Sequence, residues 1–243
     1  MNIFLCGKGR GAQGVLEHIL ANPSHKVCVW SYPDADLLAL AEARGIMRQT
    51  ASVNDVAAWP FQPVLIVSVG YLDILSPAVL GKVDGINCHY ALLPLHPGRS
   101  AVPWAIFEGD RATGITWHRM TEQPDRGNIL MQAACPIGPA DTQLSLFDKL
   151  HDLAAVTFPA ALRLAWGGWD GWRQEHDDWN AFHRAGPPLG GVIGETWPPD
   201  TVERFIRAMT YPPLPPATFR GRPVWTMDDY LAILDDDSKE SWY

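Results

Sequence analysis

The sequence predicts an α/β fold, a mostly parallel twisted sheet with helices on both faces, followed by a small C-terminal extension. Three observations lead there. Short apolar runs alternate with segments of helical spacing from the first residues onward, the order of βαβ units. Pro63-Val64-Leu65-Ile66-Val67-Ser68-Val69 is a continuous apolar run rich in β-branched residues, as expected of a central parallel strand covered on both faces. A Gly cluster separates the first apolar run from the first helical segment, and sheets of this kind take ligands at the carboxyl ends of their strands.

Taken in order, residues 2 to 6 read as a strand and Gly14 to Leu20 as a helix. Val27 to Trp30 is a second strand, and Asp36 to Arg44 a Leu- and Ala-rich helix ended by Gly45. Pro77 opens a short helix that runs to Leu80. Asn87 to His89 is extended and entered from Gly85, Pro103 to Phe107 starts a helix, and Thr113 to His118 and Ile129 to Gln132 have strand character. Helices follow at about Thr142 to Leu164 and Val202 to Met209. The expected division is a main domain over 1–165 and an extension over 166–243.

Composition narrows the class. A chain of 243 residues can bury a good core, and 47% hydrophobic against 19% charged residues fits a folded globular protein. The formal net charge of −8 opposes polyanions, so no nucleic-acid partner is expected, although a local basic loop can still hold one phosphate. No basic segment precedes a long apolar run at Met1 to Gly7, and no run is long enough for a membrane span, so the cytoplasm is the expected place. The four cysteines, Cys6, Cys28, Cys88 and Cys135, are far apart and form no CxxC pair. Reduced thiols are expected, and a zinc knuckle is not supported.

Gly9-Arg10-Gly11-Ala12-Gln13-Gly14 fits the G-x-G-x-x-G pattern of dinucleotide loops, with Asp34 about twenty residues on. It admits three readings. One is a nicotinamide site; one is a tight turn that simply allows close backbone approach. The favoured one is a phosphate cradle for a substrate, using Lys8, Arg10 and the helix N-terminus.

The densest chemistry lies between Ile86 and Leu130. Asn87 and His89 are two apart in an extended stretch, so both side chains can enter one crevice while Cys88 points to the opposite face. A lone Asn or His is more often a satisfied structural residue. Their joint spacing, with Asp125 held in a Gly-containing loop after the next strand, suits acyl transfer to an amine. An amide N–H can donate to an oxygen that becomes negative, and an imidazole can polarise that same carbonyl or, oriented by a carboxylate, accept the amine's proton. A metal held by His89, His96, His118 and Asp125 ranks below this reading, because the compact spacing of specific metal motifs is missing. No metal is expected.

Ile86-Asn87-Cys88-His89, Leu92-Leu93-Pro94, Pro97-Gly98, Trp104-Ala105-Ile106, Thr113 to His118 and Asp125-Arg126-Gly127-Asn128-Ile129 together resemble the 10-formyltetrahydrofolate-dependent formyltransferases, most densely over residues 64 to 132. The resemblance implies the formyltransferase fold, with Asn87, His89 and Asp125 as catalytic residues and 10-formyltetrahydrofolate as co-substrate. It implies a pterin lying against Tyr71, Leu72, Ile74 and Leu75 and against Met120, Glu122 and Pro124. It also implies that the Gly loop holds no nicotinamide. Two departures bear on the acceptor. Arg99 follows Pro97-Gly98 where many amine formyltransferases carry Arg-Gly, and the first loop offers Lys8, Arg10 and Gln13 in place of the Ser and Asn of glycinamide ribonucleotide formyltransferases.

The last third resembles the extension of sugar N-formyltransferases, an Arg-containing Pro- and Gly-rich stretch from Arg184 to Gly191 and then Ile206-Arg207-Ala208 before a Pro turn. The tryptophans near Trp166 are expected to pack between extension and main domain, and the acidic tail from Asp235 to be a solvated end. The expected acceptor is the primary amine of a nucleotide-linked amino sugar, bound by Lys8, Arg10, Arg99, Ser100 and Arg184. The large C-terminal domain that grips tRNA in methionyl-tRNA formyltransferases is not expected. Alternatives are another small amine, such as a hydroxyornithine or an aminoacyl group, and an NAD-linked reductase. A homodimer is left open.

Overall fold

A computed structural model describes residues 1–33, 35–175, 183 and 185–240. Asp34 and Arg184, both singled out above, lie outside the described residues. The main sheet has seven strands, β1 (Asn2–Gly7), β2 (Lys26–Trp30), β3 (Met47–Gln49), β4 (Leu65–Val69), β5 (Asp84–His89), β6 (Ala112–Arg119) and β7 (Ile129–Pro136), in the order β3-β2-β1-β4-β5-β6-β7. β3 through β5 in that order are parallel, and β6 runs antiparallel to β5. Strand order reverses between β1 and β4, so their carboxyl ends open a crevice where the intervening helices leave on opposite sides. β4 is buried throughout and β1 from Ile3 onward, as sequences apolar but for Asn2 and Ser68 lead one to expect.

The helices are α1 (Gly9–Leu20), α2 (Asp36–Ala43), α3 (Pro77–Leu80), α4 (Ala101–Glu108), α5 (Gln143–Trp166), α6 (Pro199–Met209) and α7 (Met227–Glu240). α1 begins at Gly9, five residues earlier than the apolar spacing predicts, because glycine counts against a helix only when nothing packs on it. Here something does. A side chain on Gly14 would put its Cβ 2.5 Å from that of Ala155 on α5, and one on Gly11 would meet the hydroxyl of Tyr90 and the ring of His151. Gly11 and Gly14 are thus spaced for the close seating of α1 on α5. At the head of α1, Gly11 N–H and the Tyr90 hydroxyl both donate to Nδ1 of His151, at 3.3 and 2.8 Å. Burial, then the positive charge of Arg10, hold His151 below the usual imidazole pKa, consistent with an unprotonated acceptor nitrogen.

The structure departs from the expected phosphate cradle at Arg10. Its guanidinium pairs with Asp148 at 2.6 Å and Asp152 at 2.8 Å, both on α5, and these carboxylates offset its charge. Lys8 remains exposed, its ammonium 5.9 Å from the centre of the Tyr32 ring.

The chain separates into two compact units that interleave in sequence. One holds Met1–Pro97, Gly114–Cys135 and the stretch beginning at Asp148, and the other Gly98–Thr113, Pro136–Phe147 and the C-terminal end. Residues 166 to 175, counted with the extension in the sequence, sit with the first unit. Within the second unit, Val202, Phe205, Ile206 and Met209 fall on one face of α6 at helical spacing. They share a core with Phe219, Val224, Tyr230 and Ile233 from α7 and a hairpin, β8 (Ala217–Phe219) and β9 (Arg222–Val224). One expectation for this region changes. Trp166 and Trp172 are about 60% exposed, so they are not packed away, whereas the acidic tail is exposed as expected where it begins at Asp235, in a helix that runs to Glu240.

Gly14→Ala should cost on the order of 1–3 kcal/mol, because the Ala155 methyl has no flexible end to swing aside. Urea unfolding should show a lower midpoint at unchanged slope.

Candidate active site

Ladder register builds the site. Ser68 on β4 stands opposite Asn87 on β5, and Asn87 opposite His118 on β6. The three therefore form a row across the sheet. Ser68 Oγ donates to Asn87 Oδ1 at 2.7 Å, and Asn87 Nδ2 lies 3.1 Å from His118 Nε2. The other nitrogen of His118, Nδ1, is 2.8 Å from the carbonyl oxygen of Arg119. A carbonyl only accepts, so Nδ1 carries the proton and Nε2 receives one N–H of Asn87. The Asn87 amide is fixed at both ends, and its second N–H remains to donate.

His89 is held in the same way. Its Nε2 donates to the carbonyl oxygen of His96 at 2.8 Å, which turns Nδ1 toward Asp125, 3.6 Å from Oδ2. The loop carrying that carbonyl is braced by Thr116, whose hydroxyl accepts from Leu93 N–H and donates to Ala91 O. Gln132 adds bonds to Leu93 O and the same hydroxyl. Asp125 reaches both rings, its Oδ1 being 3.3 Å from His118 Nε2. Burial pushes the His89 pKa down and outweighs the opposing pull of the Asp125 carboxylate and of the His96 carbonyl. His89 is then unprotonated at Nδ1 near neutral pH. That nitrogen can accept a proton, after which the neighbouring carboxylate stabilises the imidazolium.

The structure brings the three predicted catalytic residues into one cluster. It adds Ser68, Thr116 and Gln132, which the sequence reading passed over, and His118, which it weighed only as a metal ligand. Chemistry alone could not single out a Ser or Thr among many; their register opposite Asn87 and His89 does.

The two loops expected to meet a pterin also converge. Tyr71, Leu75 and Met120 pack on one apolar cluster with Val79 and Val83. Leu75 lies inside that wall, Tyr71 stacks on Tyr32 with centroids 5.4 Å apart, and Leu72 and Ile74 stand exposed, Ile74 at 61%. Met120 Sδ would be 2.6 Å from a Cβ on Gly85, so only glycine admits this approach. Exposed apolar side chains beside a half-buried aromatic pair fit a flat aromatic ligand. Glu122 is exposed and Pro124 half-buried. Arg99 and Ser100 fall in the second unit, where Arg99 N–H donates to His183 O and Ser100 Oγ to Gly186 O.

Residues 3–162 match the formyl transferase family, two thirds of the chain. The chain belongs to that family. It is 32% identical over 190 residues to a GDP-perosamine N-formyltransferase of Brucella melitensis, covering 76% of this chain and 73% of that one. Among solved structures it resembles a 4-N formyltransferase from Francisella tularensis, with a TM-score of 0.75, 16% identity, and 93% and 96% of the two chains covered. It also resembles an N-formyltransferase from Helicobacter canadensis in complex with folinic acid and dTDP-3-aminofucose, with a TM-score of 0.78, 18% identity, and 92% and 86% covered. At these identities the two structures establish a shared formyltransferase fold. No helix among the described residues is long and apolar enough to cross a membrane.

In this formyltransferase, Ser68→Ala should free the Asn87 amide to turn over, and kcat should fall about tenfold, the worth of roughly one hydrogen bond. The pH profile of kcat should keep its plateau below the ordinary imidazole value of about 6.5 and then fall as pH drops through the lowered His89 pKa. An acidic limb centred above that value would contradict an unprotonated His89.

Proposed function

We propose that this formyltransferase moves the formyl group of 10-formyltetrahydrofolate to the primary amine of a nucleotide-linked amino sugar. One observation carries the reading. The Asn87 amide is locked with one N–H to spare beside an unprotonated His89 and its carboxylate partner Asp125. No side-chain nucleophile is called for, since Ser68 gives its proton to Asn87 and alternation turns Cys88 to the opposite face. The amine attacks directly.

When bound, the folate supplies the formyl carbon, which gains a bond to the amine nitrogen and loses its bond to the folate. The protein's own groups do the rest. Asn87 donates to the formyl oxygen as it becomes negative. His89 Nδ1 takes the proton released from the amine, Asp125 holds the resulting imidazolium, and that proton then passes to the folate nitrogen as its bond to the formyl carbon breaks. Tyr71, Leu72, Ile74 and Met120 line the pterin, with Leu75 behind them and Glu122 and Pro124 closing the second loop. Lys8, Arg99, Ser100 and Arg184 are the proposed acceptor contacts; Arg10 would have to leave its two carboxylates to join them.

Support for the acceptor comes from the relatives. The Brucella enzyme is named for GDP-perosamine, and the Helicobacter enzyme was solved with a dTDP-linked amino sugar. The reading carries with it the cytoplasmic location expected above, which cell fractionation would test, and the open question of a homodimer, which light scattering would answer.

Incubation with 10-formyltetrahydrofolate and a panel of nucleotide-linked amino sugars should yield a product heavier by one formyl group, read by mass spectrometry. Asn87→Ala should lower kcat by about 10²–10³, and His89→Ala or Asp125→Asn by about 10²–10⁴, without loss of fold. Product on a hydroxyornithine and on none of the sugars would overturn the acceptor while keeping the reaction.

A further inference from the structure

Asn87 and His89 are fixed by a strand ladder, but Asp125 rides on the loop between β6 and β7 with a left-handed φ of 58°. Something must keep that loop in place. We propose that Gln174 is the positioning residue for Asp125, holding the loop through the backbone carbonyls of Asp125 itself and of Gly127. The side chain is almost fully buried, and its Nε2 donates to Asp125 O at 2.9 Å and to Gly127 O at 2.6 Å. Both acceptors are carbonyls, so the amide can face only one way, and both of its N–H groups are committed. Its Oε1 lies buried with no hydrogen-bond partner among the described residues. Such an oxygen is unfavourable, and the two donated bonds are what offset it.

Gln174 is brought there by a short strap beyond α5. Trp172 and Ile129 exchange both backbone hydrogen bonds at 2.8 Å, which pins the strap along the start of β7. Gly171 makes the approach possible, since a Cβ there would sit 2.6 Å from Ile129 O. On its other side the loop presses on β6 so closely that a Cβ on Gly127 would overlap the carbonyl oxygen of Arg119. The Asp125 loop is thus clamped between a strand and a strap. The amide of Gln174 touches no reacting group; it acts through Asp125.

The proposal rests on Asp125 being the carboxylate partner of His89, and that partnership can be read without substrate. The groups facing His89 are Asp125, His118 and His96. In the full-length protein, NMR titration of the histidine rings should show the His89 midpoint falling in Asp125→Asn, because the carboxylate that raises it is gone. It should fall in the same direction in Gln174→Met, which keeps the bulk and removes both donors, while His25 and His151 titrate as before. In the formyl-transfer assay kcat should drop between about ten- and a hundredfold, as expected for a displaced catalytic group, with KM little changed.

A folded Gln174→Met with the parent His89 midpoint overturns the role of Gln174 alone. An unchanged midpoint in Asp125→Asn overturns the Asp125–His89 pairing and the proposal with it. Should Gln174→Met not fold, the uncharged Gln174→Leu is read in the same way, and failure of both to fold would make Gln174 a framework residue and end the proposal.

Discussion

The catalytic unit depends on a simple asymmetry, that a backbone carbonyl can accept a hydrogen bond but never donate one. The carbonyls of His96 and Arg119 each accept a hydrogen bond from one imidazole nitrogen and so decide what the other nitrogen can do. His118 is left with an acceptor for Asn87, and His89 with an acceptor beside Asp125. Reverse either tautomer and the Asn87 amide loses its anchor or His89 loses its free nitrogen. The braces on the Ala91–His96 loop, from Thr116 and Gln132, are therefore part of the chemistry although they touch no reacting atom.

Burial and charge oppose each other at His89. Desolvation disfavours the imidazolium, and the nearby Asp125 carboxylate favours it. Burial prevails at rest, so in the proposed reaction the attraction is held back until a proton arrives from the amine. An interaction that is weak before the reaction and strong during it raises the rate, whereas one equally strong throughout only tightens binding. A more exposed His89 would be protonated earlier and would forfeit that difference.

What the sequence revealed and what it hid divide along the same physical line. Local pattern was enough for β1 and β4, short apolar runs bounded by Gly or Pro, and for placing Asn87 and His89 of β5 on one face by alternation. Order along the chain was enough for Asp125. Ser68 and His118 became functional only through the pairing of β4, β5 and β6, and such register depends on contacts between segments far apart in sequence. The start of α1 was hidden because its glycines look like breakers until α5 packs on them. The pairing of Arg10 with Asp148 and Asp152 spans well over a hundred residues of chain and left no local trace. The short β3 and the β8–β9 hairpin carry too few residues for a pattern to show.

The two units also separate two demands. Asn87, His89 and Asp125 belong to the first unit, as do Ser68, His118 and Gln174, which hold the Asn87 amide and the Asp125 loop. The second unit has its own core around Val202, Phe205, Phe219 and Val224. A core of its own allows a segment to change its surface without loss of packing elsewhere. Arg99 and Ser100, two of the proposed acceptor contacts, lie in this second unit, where Arg99 N–H donates to His183 O and Ser100 Oγ to Gly186 O. Under the proposed assignment, formyl transfer constrains the first unit narrowly, while the acceptor contacts can change with the second unit's own loops.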